Sequence, residues 1–147
     1  MHTIVNETEC ERFIIFKVEN GGGAPKVGAH IYISALMESY KSPIETFLDN
    51  YQKLRADASY ILLLSNILAS GKIDFSVENM EESLLRKIYR AENIKYSTIY
   101  HLHTTPEAIY YCSLATTKEN ERFSSPRTEV KIQLAINEII ELFKKNI

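Results

Sequence analysis

Residues 12–18, Arg-Phe-Ile-Ile-Phe-Lys-Val, are β-branched or aromatic on both alternating positions. That is the pattern of a strand covered on each side, and it predicts an inner strand. The chain then breaks at Asn20-Gly21-Gly22-Gly23-Ala24-Pro25. Beyond the break Val27, Ala29, Ile31 and Ile33 alternate with Gly28, His30, Tyr32 and Ser34, which predicts the return strand of a hairpin to about Ser34. A helix over 25–40 competes, because proline suits a first helical position and Ile33, Met37 and Tyr40 fall at helical spacing. The strand is the reading adopted.

Ser42-Pro43-Ile44-Glu45 joins an N-cap serine, a proline at the first helical position and a glutamate placed to bond back to the cap, so a helix is predicted to start there. Ile44, Phe47, Leu48, Tyr51, Leu54, Ala58, Ile61, Leu62 and Leu68 hold one stripe until Ser70-Gly71 supplies a left-handed stop. Unbroken, this helix would span about 42 Å at about 1.5 Å per residue, so a kink over 56–59 is expected. A second helix is predicted from near Ser76, with Val77, Met80, Leu84, Leu85, Ile88 and Tyr89 on one face and Asn93 as terminator. Its acids, Glu78, Glu81 and Glu82, come early and its bases, Arg86, Lys87 and Arg90, come late, following the helix macrodipole. Tyr96–Thr104 and 108–115 flank the turn Thr105-Pro106-Glu107 and predict a second hairpin. After a polar loop, Ser125-Pro126 opens the last helix, with Val130, Ile132, Ala135, Ile136, Ile139, Ile140, Leu142 and Phe143 on its core side.

The order hairpin, two helices, hairpin, helix is most simply built as an α+β fold. It comprises a four-stranded antiparallel sheet made of two hairpins, with three helices packed mainly on one face. A length of 147 residues with 45% hydrophobic and 24% charged positions agrees with a single domain spanning 1–147. A formal net charge of −2 argues against nucleic acid as a partner, since phosphate-binding surfaces carry a basic excess. The densest apolar run, 60–69, is about half the length of a bilayer span, so no membrane segment is expected. Cys10 and Cys112 match no metal or redox spacing and read as thiols of a reducing compartment, the cytoplasm.

The candidate chemistry centres on His101-Leu102-His103, because residues two apart on a strand project from one side of the sheet. The same alternation points His30 and Tyr32 away from the helices, so His30, His101 and His103 are expected on one open sheet face with Tyr32, Tyr111 and Ser113 as neighbours. Such a trio suits zinc with an open site for water, or general acid and base work near neutral pH. A His-x-His on an exposed strand is more often a polar surface stripe, and no carboxylate lies in the strand pattern beside it. Gly21, Gly22, Gly23 and Lys26 form a glycine-rich loop after a strand, but neither phosphate-binding spelling is present. The basic cluster Arg86, Lys87, Arg90 and Lys95 reads as a solvated helix end, and Cys112 as a small buried hydrophobe.

The first reading is therefore a small cytoplasmic binding protein of immunity, inhibitor or adaptor type, without cofactor or metal. It would recognise a protein partner or compact small-molecule ligand through the open sheet face (Tyr32, Tyr111, Ser113) and the loop (Gly21, Gly22, Gly23, Lys26). Exposed sheet edges make a homodimer plausible. The alternative is a small hydrolase or nuclease using His30, His101 and His103, with or without zinc.

Overall fold

The computed structural model describes residues 11–19, 31–40, 54–55, 58–117 and 126–146. The inner strand expected from the first apolar run is present as β1 (Arg12–Glu19). Phe13 and Ile15 are buried on one side of it and Ile14, Phe16 and Val18 on the other. A strand with two apolar faces demands a cover on each, and that requirement shapes the rest of the molecule.

The elements that follow are β2 (Tyr32–Tyr40), β3 (Leu54–Arg55), α1 (Ala58–Ser70), β4 (Lys72–Ser76), a 3-10 turn (Val77–Asn79), α2 (Leu84–Ala91), β5 (Tyr96–Thr104), β6 (Ile109–Thr116) and α3 (Pro126–Asn146). They build one antiparallel sheet in the order β3-β2-β1-β6-β5-β4, with β1 and β6 at its centre. The expected four strands are thus corrected. Five strands of five residues or more carry the sheet, and the two-residue β3 adds a sixth at one edge. β4 does alternate, with Ile73 and Phe75 turned to the core, but five residues wedged between a helix stop and Ser76 carry little periodic signal.

β2 extends six residues past Ser34, which overturns the helical reading over 32–40. A bulge interrupts this strand. Ala35 pairs with Phe16 and Met37 with Ile15, so Leu36 is an extra residue and the alternation reverses across it. The bulge carries Met37 to the side of Ile15 and leaves Ile33 on the side of Val18, so their helical spacing does not correspond to one face. The long helix expected over 42–70 is also corrected: β3 lies within its stripe, and the helix proper is α1. The start signature Ser42 to Glu45 lies outside the described residues. The stop is as expected, with Gly71 at φ +80° and its N–H donating to Ile67 O at 2.7 Å. The second helix starts later than predicted, because Ser76 closes β4 and Ser83 is the cap, its Oγ accepting from Arg86 N at 3.1 Å.

The placement of helices mainly on one face is corrected as well. α1, the 3-10 turn and α2 cover Ile14, Phe16, Val18, Ile33, Ile99 and Tyr111. α3 covers the opposite face, where Ile132 and Ile136 are buried against Phe13, Tyr100, Leu102, Cys112 and Leu114. The face predicted to be open, that of Tyr111 and Ser113, is therefore under α1 and α2, and α3 covers the other. Among the described residues no helix is long and apolar enough to cross a membrane.

One buried ion pair ties the α2 layer to the sheet. Arg12 donates from both terminal nitrogens to the two carboxylate oxygens of Glu92, each at 2.9 Å, with side-chain exposures of 2% and 5%. Removing one partner leaves a buried charge behind, so Glu92→Ala is expected to cost about 3 to 5 kcal/mol in urea unfolding. The double change Arg12→Met/Glu92→Leu should recover most of that. A loss under about 1 kcal/mol for Glu92→Ala would show that the pair does not hold the layers together.

Candidate functional site

β5 carries the histidine pair, and its register decides what the pair can do. His101 lies opposite Tyr111, whereas His103 lies opposite Tyr110, so Leu102 is the extra residue of a bulge. One inserted residue reverses the alternation. His101 consequently shares the α1/α2 side with Tyr111, and its Nε2 is 2.8 Å from Thr104 Oγ1. His103 turns to the α3 side, its ring 6.1 Å from Phe143 and 6.5 Å from Tyr110. The two imidazoles do not converge on a common face.

The other expected site residues separate in the same way. Tyr111 is buried under the helices, stacked on Phe16 at 5.0 Å, with its hydroxyl paired to that of Tyr60. Ser113 Oγ is buried in a triad with Tyr89 Oη at 3.3 Å and Ser97 Oγ at 3.1 Å. Tyr32 is half-buried at the start of β2, opposite Glu19 and Arg55. His30, Gly21, Gly22, Gly23 and Lys26 lie outside the described residues. Among the described residues no group of three His, Cys, Asp or Glu is placed to hold a metal.

The concave site lies instead at the β4 edge of the sheet. α1 and α2 pack on the same sheet face, but the 3-10 turn and 80–83 bow between them. Val77 anchors that segment, buried with its N–H on Lys95 O at 2.9 Å. A cleft of about 350 Å³ results, walled by Tyr60, Leu63 and Asn66 of α1, Phe75 of β4, Asn79, Met80 and Glu81 of the bowed segment, and Leu85 of α2. Behind Tyr60 and Leu85 sits a closed pocket of about 10 Å³, room for about one water, lined by Arg12, Tyr89, Tyr111 and Ser113 among others. Burial raises the phenol pKa values of Tyr60 and Tyr89 despite the hydrogen bonds that lower them, so both stay protonated and present O–H groups to this interior. Among the described residues, a wider hollow of about 500 Å³ along α3 is lined by that helix alone.

The cleft has an apolar floor and a polar rim, the arrangement that holds a compact organic molecule and orients it by a few hydrogen bonds. It escaped sequence reasoning because its walls come from four elements. Met80 had been assigned to a helix face, and Phe75 to no element.

No protein-family model and no curated protein matches this chain. Solved structures do. The GAF domain/HD domain protein from Geobacter sulfurreducens is 12% identical, with a TM-score of 0.67 over 97% of this chain and 85% of that one. The phycoerythrobilin-bound GAF domain of a cyanobacterial phytochrome is also 12% identical, with a TM-score of 0.62 over 95% and 78% of the two chains. The GAF domain of a two-component sensor histidine kinase from Bacillus halodurans is 8% identical, with a TM-score of 0.57 over 97% and 93%. At such identities the likeness is one of fold, and the fold is that of a GAF domain.

His101 still has a measurable signature. Its pKa is held below the ordinary 6.5, first by burial and then by repulsion from His103. The unfolded chain takes up that proton more readily, so stability is full above pH 6.5 and is lost as pH falls below it. Urea unfolding at pH 7.5 and 5.5 should show a smaller loss for His101→Gln than for the wild type. Equal losses in the two proteins would mean that His101 titrates as it does in the unfolded chain.

Proposed function

We propose that this chain is a small-molecule-binding domain of sensory type, and that its ligand sits in the cleft between α1 and the segment joining β4 to α2. One observation carries this reading: a cleft of about 350 Å³ with an aromatic and aliphatic floor and an amide and carboxylate rim. Its volume is at the lower end of the usual range for ligand pockets, about 300–1,000 Å³, which suits a compact molecule. The fold adds support, since one of its structural neighbours is a phycoerythrobilin-bound GAF domain.

Of the two partner classes expected from the sequence, the small molecule is retained. The immunity, inhibitor and adaptor roles relied on a bare sheet face, but Tyr111 and Ser113 of that face are buried under α1 and α2, and α3 covers the opposite one. The hydrolase or nuclease alternative relied on imidazoles sharing a face, and those of His101 and His103 are divided by the bulge at Leu102. The cytoplasm is the compartment that accompanies the ligand-binding reading, on the low cysteine count.

The neutral aromatic 2-phenylethanol is a suitable probe, followed by backbone amide NMR shifts. Saturable shifts are expected at Leu63, Phe75, Met80 and Leu85. They should weaken at least about tenfold in Met80→Trp, whose indole fills the cleft, and persist in Leu134→Trp on α3. Shifts that fail to saturate, or that collect along α3, would overturn the proposal.

A further inference from the structure

The charge of the cleft narrows the ligand. Three acidic residues, Asp74, Glu81 and Glu82, are among its lining, the carboxylate of Asp74 turned to Thr98 on the other side of β4, and the described lining contains no lysine or arginine. Two of the three are engaged by cations. Glu82 Oε1 accepts from Arg86 at 2.8 Å and from Arg90 at 3.0 Å, and Asp74 lies 3.7 Å from Lys72 Nζ while accepting from Thr98 Oγ1 at 2.6 Å. Glu81 is different. It is exposed, it stands on the bowed segment next to Met80, and among the described residues no cation pairs with it.

Resting on the ligand-binding reading above, we infer that the cleft selects small aromatic amines, with the ring on the apolar floor and the ammonium group against Glu81. The cavity makes the site and the charge chooses its occupant. Tyr60, Phe75, Leu63 and Leu85 give a ring its apolar contacts, and two of them offer aromatic faces that also favour a nearby cation. An anionic ligand would meet Glu81, which no cation among the described residues offsets. The floor is no better for a charge. Arg12, the one cation among the described residues of the inner pocket, is matched by Glu92, so a charged group driven inward would lose its water without gaining a partner. A charge is therefore tolerated only at the rim, and there the favoured sign is positive. The half-positive start of α2 stands at the same wall, but Ser83 Oγ occupies one of its N–H groups and Glu82 offsets its field.

Three probes of one shape separate the possibilities: 2-phenylethylamine, 2-phenylethanol and phenylacetate, titrated by amide NMR at low salt. The amine is expected to bind roughly three- to tenfold tighter than the alcohol, the size of an ion pair at a solvated rim, and phenylacetate more weakly than either. The advantage of the amine over the alcohol should shrink in 0.5 M NaCl and vanish in Glu81→Gln. Equal affinity for amine and alcohol, tighter binding of phenylacetate, or an amine preference that survives Glu81→Gln would each overturn the inference while leaving the cleft a ligand site. If none of the three probes shifts the cleft residues, the ligand-binding reading falls together with it.

Discussion

The burial of β1 on both sides is the constraint from which the other features follow. Phe13 and Ile15 need a cover on one face and Ile14, Phe16 and Val18 on the other, and each side chain of this kind gains roughly 1.5 to 3 kcal/mol from leaving water. A sheet built around such a strand lies between two helical layers. Its faces are then taken up by packing, and a concave surface is left at the margin where the layers fail to close. In this chain that margin is the β4 edge, where α1 and α2 stand on the same face and the segment between β4 and α2 lines a cleft with them.

The interior behind the cleft is unusually polar for a core, and it is organised. The hydroxyls of Tyr60 and Tyr111 pair with each other, those of Tyr89, Ser97 and Ser113 form a triad, and Arg12 is clamped by Glu92. Groups buried in this way are tolerable because they satisfy one another, and satisfied networks fix side-chain positions more sharply than apolar contacts do. Tyr60 belongs both to this network and to the cleft wall. The floor on which a ligand would rest is therefore held from behind by the same bonds that order the core, which favours a preformed site over one moulded around its occupant.

Much of the fold was legible because it follows simple periods. β1, the hairpin of β5 and β6, the stop at Gly71 and the start of α3 at Pro126 are all written in alternation, in turn residues or in caps. What was misread shares one physical cause, the interruption of a period. The bulge at Leu36 breaks the alternation of β2, and the bulge at Leu102 turns two histidines that should share a side onto opposite sides. β3 and β4 were too short to show a period, and without β4 the cleft has no wall. The site itself was legible only in fragments. Tyr111 and Ser113 read as functional for their face but are core groups behind the floor, whereas Phe75, Met80 and Glu81 line a cleft whose walls come from four elements.

The most direct test of this account is the position of a bound molecule rather than its affinity. Isotope-filtered NMR on the complex with 2-phenylethylamine records which protein protons lie within about 5 Å of the ring, the reach of a hydrogen-to-hydrogen contact across packed groups. Cross-peaks from the ring to the methyl groups of Leu63, Met80 and Leu85 are the predicted result. Cross-peaks to Leu134 and Leu142 on the outer side of α3, with none to the three cleft residues, would contradict it.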